Sequence, residues 1–352
     1  MKLPSEKNPK GPDFKKSRHI EKNLSGTILK FMAPPHKDPF SASENWEQEP
    51  DQIDILNASI YKDDNRDKDI NFSHSQWTRV YSSIWGFNGL PIIHGYCGDL
   101  TMLVNVIQVE NLPVNTSLFE NSTFSEQVFR DLDAFNARNL HEEILDDNFS
   151  SSQRKWPNYL GPLNWQWLSI DNQDWIYHEN QPLVNDDLQL KFCTPIDNSH
   201  YLSLDFSIVR SARNAGNAFR IESRVGKKSF VDFINNIINS INLELAPENK
   251  TQRKKYFKSN IDQGRPIYLC SKEQIELSKH VMRMWSDNEF IDDSHSSESD
   301  SRASKEEVAS FINKRVSHTL LENSYPLEEQ VKLPNHNEKT FPQNKPEQAC
   351  IK

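Results

Sequence analysis

HYLSLDFSIV, residues 200–209, alternates without interruption. Leu202, Leu204, Phe206 and Ile208 fall on one side of an extended chain. Tyr201, Ser203, Asp205 and Ser207 fall on the other. Strand side chains point to opposite faces with period two, so the segment reads as a half-buried β-strand. Working outward, LTMLVNVIQV (100–109) is a second strand, rich in β-branched residues. TILKFMAPP (27–35) reads as a strand stopped by two prolines. DILNASIYK (54–62), TRVYSSIWGF (78–87), WQWLSI (165–170), DWIYHE (174–179) and DLQLKF (187–192) are further strand candidates. AFRIESRV (218–225) is a candidate partner of 200–209 across SARNAGN, and RPIYLC (265–270) a short strand.

Helices punctuate these runs. Thr123 and Glu126 have capping-box spacing, and Phe124, Val128, Leu132 and Phe135 recur helically behind them. SFVDFINNIINSINL (229–243) predicts a helix capped by Ser229, with Phe230, Phe233, Ile234, Ile237, Ile238 and Ile241 as its apolar stripe. Ser271/Gln274 and Ser304/Glu307 are capping boxes opening two later helices.

Strands followed by a helix, twice over, favour an α+β fold with antiparallel sheets over a doubly wound one. The order is compatible with two similar halves, 25–150 and 151–245. Residues 1–24 carry seven Lys/Arg against three Asp/Glu and few apolar side chains, and read as a flexible basic tail. An α+β core domain follows over 25–245, then a charged linker (246–264). A mainly helical extension (265–325) contains an acidic, Ser-rich insert (286–303). Residues 326–352 read as a second flexible tail.

Of 352 residues, 36% are hydrophobic and 10 are Gly, and the net charge is −9. An acidic chain lacks the basic face that phosphate contacts need, which speaks against nucleic acid as the partner. The longest apolar run, 100–109, is ten residues, too short to span a bilayer as a helix. Cys97, Cys193, Cys270 and Cys350 are far apart and form no CxxC pair. They read as free thiols in a reducing, cytoplasmic setting.

Signatures for dinucleotide, P-loop, nucleophile-elbow and HExxH chemistry are absent from the sequence. The most unusual stretch is GLPIIHGYCGDL (89–100), which holds three of the ten glycines with His94, Cys97 and Asp99. Cys97 as nucleophile, His94 as base and Asp99 as orienting acid would make a catalytic loop. Equally, His94 and Cys97 with Cys193 and His200 would make a Cys2His2 metal set. A structural glycine turn around a buried Cys97 outweighs both. Trp156, Tyr159, Trp165, Trp167, Trp175 and Tyr177 cluster within 22 residues. An exposed ladder of such rings would stack on sugars or fill a partner's pocket, whereas a buried one is simply core.

The sequence thus points to a non-enzymatic binding module, such as an acidic inhibitor or immunity-type protein acting on a partner protein. It calls for no cofactor and leaves the oligomeric state open. The alternative is a hydrolase using the Cys97/His94 loop.

Overall fold

The computed structural model describes residues 4–40, 49–61, 75–91, 93–142, 157–183, 187–212, 218–259, 266–284 and 303–316. Its elements run β1 (Arg18–Leu24), β2 (Thr27–Ala33), β3 (Gln52–Ile53), β4 (Ser75–Asn88), β5 (Tyr96–Val109), α1 (Asn121–Glu142), β6 (Tyr159–Ile170), β7 (Gln173–Pro182), β8 (Leu188–Pro195) and β9 (His200–Arg210). Then come α2 (Ala218–Arg224), α3 (Lys228–Ile238), β10 (Asn242–Glu244), α4 (Pro247–Ser259), α5 (Lys272–Met284) and α6 (Lys305–Val316). The fold is mixed α+β. One six-stranded antiparallel sheet has the order β4-β5-β9-β8-β7-β6, and a four-stranded sheet has the order β10-β2-β1-β3.

β9 sits inside the large sheet, as its alternation demands. Leu204 lies opposite Val104 of β5 and Phe192 of β8, and these apolar residues share one face. That face, the small sheet and α3 together form the principal core. α3 buries Phe230, Phe233, Ile234, Ile237 and Ile238, each contributing about 1.5–3 kcal/mol by burial. Phe230 stacks on Phe87 at 4.1 Å, and Phe233 meets Trp85 edge-on at 5.1 Å. α1 covers the lower part of the opposite face through Phe124 and Val128. α5 and α6 pack on β6 through Val281, Met282, Val308 and Ile312, which meet Leu160, Leu163 and Leu183.

Several expectations change. Arg18–Leu24, placed in a flexible tail, is strand β1, hydrogen-bonded to β2 over its whole length. The chain before it is anchored too: Lys10 exchanges backbone hydrogen bonds with Asn88, and Phe14 packs on Phe233. Arg18, His19 and Glu21 lie on exposed positions of β1, while Lys22 is buried against Asp51; composition alone read these charges as a tail. The strand expected at 54–62 is, over its described residues 54–61, a turn and a short 3-10 helix, Ala58–Ile60. There Asp54 and Asn57 side chains accept the amides of Leu56 and Ser59, competing with any ladder. AFRIESRV is not a strand but α2, and eight residues were too few to tell the two periods apart.

The helix expected over 229–243 ends at Ile238. Ser240 Oγ donates to the Ile237 carbonyl and accepts the Met32 amide, turning the chain into β10 beside β2. Ser229 does not cap it; Lys227 holds the N-cap position without a side-chain bond. Thr123 and Glu126 do not form a box, because α1 starts at Asn121 and Glu126 pairs with Arg130 instead. The charged linker contains helix α4, opened by Pro247 and Glu248. RPIYLC forms no strand over its described residues, 266–270. The later boxes do form: Ser271 with Gln274 and Ser304 with Glu307 exchange reciprocal bonds of 2.6–3.1 Å. Strands from the two proposed halves join in one sheet, where β5 of the first pairs with β9 of the second. The insert 286–303, apart from Ala303, and the C-terminal tail 326–352 lie outside the described residues.

Candidate functional site

The stretch 89–100 forms the tip of the β4–β5 hairpin and the start of β5. Leu90 carbonyl accepts the amides of Ile93, His94 and Gly95, and Gly89 N–H bonds Gly95 carbonyl at 2.9 Å. Gly95 has φ +58° and Gly98 φ +147°, values that favour glycine. At Gly98 a Cβ would also lie 2.2 Å from the Val209 carbonyl oxygen, so the hairpin can approach β9 only without a side chain there.

This turn brings His94 and Cys97 to the same place, on either side of Gly89. A Cβ on Gly89 would meet His94 Cβ at 2.5 Å and Cys97 Sγ at 3.3 Å. The chemistry does not follow the proximity. Cys97 is buried, and burial raises its thiol above the ordinary range. Its Sγ points to Gly95 carbonyl at 3.6 Å. Asp99 does not orient His94; it accepts the Tyr96 hydroxyl. Burial raises the Asp99 carboxyl, and the charges of Asp38 and Asp187 push the same way.

The metal set is dispersed. Cys97 precedes Gly98, which faces Arg210 at one end of the β5–β9 pair, while His200 faces Gln108 at the other. Eleven residues of strand separate the two levels, roughly 35 Å. Cys193 lies on the opposite face from His200, hydrogen-bonded to Ser203 at 3.6 Å. Its thiol is pushed up to about 12 by burial and the nearby Asp205. His200 is instead held by Asp197 at 2.8 Å and lies against Tyr61. Among the described residues, no group of three or more His, Cys, Asp or Glu side chains is arranged to hold a metal ion.

The aromatic ladder is core. Tyr159, Trp165, Trp167, Trp175 and Tyr177 are all buried, so these rings present no exposed stacking surface. Trp156 lies outside the described residues. Trp167 borders a shallow cleft of about 290 Å³, open mouth included, with Phe124, Asn121, Thr194 and Arg253 among its walls.

The exposed apolar side chains lie elsewhere. Phe40 is 75% exposed and Ile93 72%. The chain before Phe40 runs along the upper edge of β4, with Lys37 bonded to Ile84 and Gly86, and sets the Phe40 ring 4.9 Å from Tyr96. The hairpin tip therefore carries Phe40, Tyr96 and Ile93 together with the carboxylates of Asp38 and Asp99. Phe40 had no sequence signal, being an isolated ring between prolines and polar residues.

A second arrangement also escaped the sequence reading. The polar side of β9 is turned from water at Tyr201 and Ser203 and only partly exposed at Asp205. Tyr201 donates to Asp131 on α1, Ser203 donates to Asp205, and Asp205 also receives Asn105 and pairs with Lys191 at 3.9 Å. Behind Lys191, His178 is buried and neutral, its pKa lowered to about 3 by desolvation, with Lys191's charge acting in the same sense. Asp131 borders the apolar stripe of α1, a position that hinted at this contact.

No described helix is long and apolar enough to cross a membrane. Comparison with protein-family models, with curated proteins and with solved structures finds no match.

Proposed function

We infer that the protein is a non-enzymatic binding module that engages a partner protein through the β4–β5 hairpin tip. The observation that carries this reading is the exposure of Phe40 and Ile93 at the same end of the sheet as Asp38. Large apolar side chains exposed at one end of a sheet supply contact area for a partner. The half-buried Asp38 carboxylate beside them and the net charge of −9 favour a partner with basic groups. An acidic inhibitor or immunity-type role fits this pattern. A cytoplasmic setting accords with the free thiols of Cys97, Cys193 and Cys270.

The hydrolase alternative rests on one observation, the placement of His94 and Cys97 around Gly89. Against it stand the buried thiol with its raised pKa and the engagement of Asp99 by Tyr96.

The experiment compares wild type, Phe40→Asp, Ile93→Asp and Cys97→Ser as baits in quantitative affinity purification from the native host. A saturable partner that binds wild type and Cys97→Ser alike, and is retained at least tenfold less by Phe40→Asp or Ile93→Asp, supports the binding module. Loss of the host phenotype in Cys97→Ser alone, with Phe40→Asp unaffected, favours the hydrolase.

A further inference from the structure

We propose that the α5–α6 pair is a releasable cover over the start of β6 and the end of β7, held shut by an ion clamp centred on Glu222. Glu222 on α2 receives three cations from three other parts of the chain. Arg210, at the end of β9, donates Nη2 to Oε2 at 2.9 Å. Lys227, just ahead of α3, brings Nζ to 3.9 Å from Oε1. Arg315, in the last turn of α6 and 93 residues away in sequence, donates Nη2 to the same Oε1. The three cationic side chains are 2–5% exposed and the carboxylate 11%.

The composition of the α6 interface makes the clamp decisive. This twelve-residue helix buries Val308, Ile312 and Arg315. Val308 and Ile312, with the partly buried Phe311 and Val316 beside them, are a small apolar anchor for a helix of that length, which is marginal by itself in water. The third anchor is ionic and buried, and breaking a buried pair from one side leaves a charge without its counter-ion. α6 docking therefore depends on Glu222 far more than the core does. The principal core is built from other residues, and α5–α6 contribute only to a separate apolar cluster. Release of the pair would uncover Leu160, Leu163 and Leu183, which that cluster now buries.

The mechanism is local opening, in which a weakly anchored element detaches while the remainder stays folded. Low stability confined to one helix pair is what such a device requires.

The test is hydrogen exchange of the full-length chain as wild type, Arg315→Gln and Glu222→Gln. Arg315→Gln is the cleaner variant, because Glu222 keeps Arg210 and Lys227. The expected result is at least tenfold faster exchange of amides in 303–316, with exchange in β9 and α3 within twofold of wild type. A parallel rise in binding of an apolar fluorescent dye is expected as the leucines are exposed. Exchange in 303–316 within twofold of wild type in Arg315→Gln would overturn the proposal. So would faster exchange spread equally over α6, β9 and α3, which would make the contact a global stabiliser. If Glu222→Gln fails to fold, Arg315→Gln alone decides.

Discussion

Tyr201, on the polar side of β9, donates its hydroxyl to Asp131 on α1 at 2.7 Å, tying helix to sheet where the strand pattern pointed to solvent. Asp131 also accepts Gln127 Nε2 at 3.0 Å. Burial of this carboxylate raises its pKa, and the Tyr201 hydrogen bond opposes that rise. Tyr201→Phe removes the opposing donor, so the variant's folded-state pKa lies higher still. A group raised in the folded state favours folding while protonated and loses that advantage as pH rises through its folded pKa. Tyr201→Phe should therefore cost about 1–3 kcal/mol in the pH range where Asp131 is ionised. The cost should shrink as pH is lowered from about 8 towards about 4 and the carboxyl takes up its proton. Urea melts across this range check it; a pH-independent difference would show that Asp131 is not the responsible group.

Ile237 is fully buried in the α3 stripe. Ile237→Asp should destabilise by roughly 3–5 kcal/mol, because it places an unpaired carboxylate against the principal core. A loss below about 1 kcal/mol in chemical denaturation would contradict the packing of α3 on the sheet.

Removal of residues 1–24 should abolish the cooperative melt. The deletion takes away β1, which lies between β2 and β3, together with the wholly buried Leu24 and the Phe14 contact to Phe233. A truncated chain that melts within a few degrees of the full-length protein would show that β1 is dispensable.

The thiols of Cys97 and Cys193 should alkylate at least about 100-fold more slowly in the native protein than in denaturant at pH 7.5, since only the thiolate reacts. Burial raises both thiols, Cys193 to about 12. Site-resolved mass spectrometry after timed iodoacetamide treatment provides the measurement. Rapid native labelling of Cys97 would restore the nucleophile reading of the hairpin.

Gly98→Ala should destabilise by several kcal/mol, about 2–4, through both an unfavourable φ and the overlap with the Val209 carbonyl. Thermal melting of the purified variant tests this, and an unchanged midpoint would mean that the β5–β9 approach relaxes freely.

Much of the fold was legible because its signals are local. The alternation at 200–209, the β-branched run at 100–109 and the 229–238 stripe each specify their own periodicity within about ten residues. Ser271/Gln274 and Ser304/Glu307 were legible for the same reason: a capping box is closed by groups three residues apart. Errors fell where two conformations satisfy the same short pattern, as at 218–225, or where a charged strand is held by a neighbour, as β1 is by β2, with Arg18 and Glu21 outward and Lys22 buried.

The candidate site was less legible. His94 and Cys97 were singled out and do meet around Gly89, but burial decides the protonation of the thiol, and burial is contributed by chain remote in sequence. The tryptophans near 165–175 could have been core or surface on composition alone. Phe40 joins Tyr96 only because the segment before it lies along β4.

The sequence by itself determined which segments extend, which coil and which side of each is apolar, since those properties depend on neighbours one to four residues apart. Only the tertiary structure decided what covers each side. The face of β9 bearing Leu204 met α3 and the small sheet, as its apolar character required. The face bearing Tyr201 met α1, because Asp131, 70 residues earlier, could satisfy its hydroxyl away from water. Hydrogen bonding between buried polar groups is a property of pairs, and no reading of either member alone contains it.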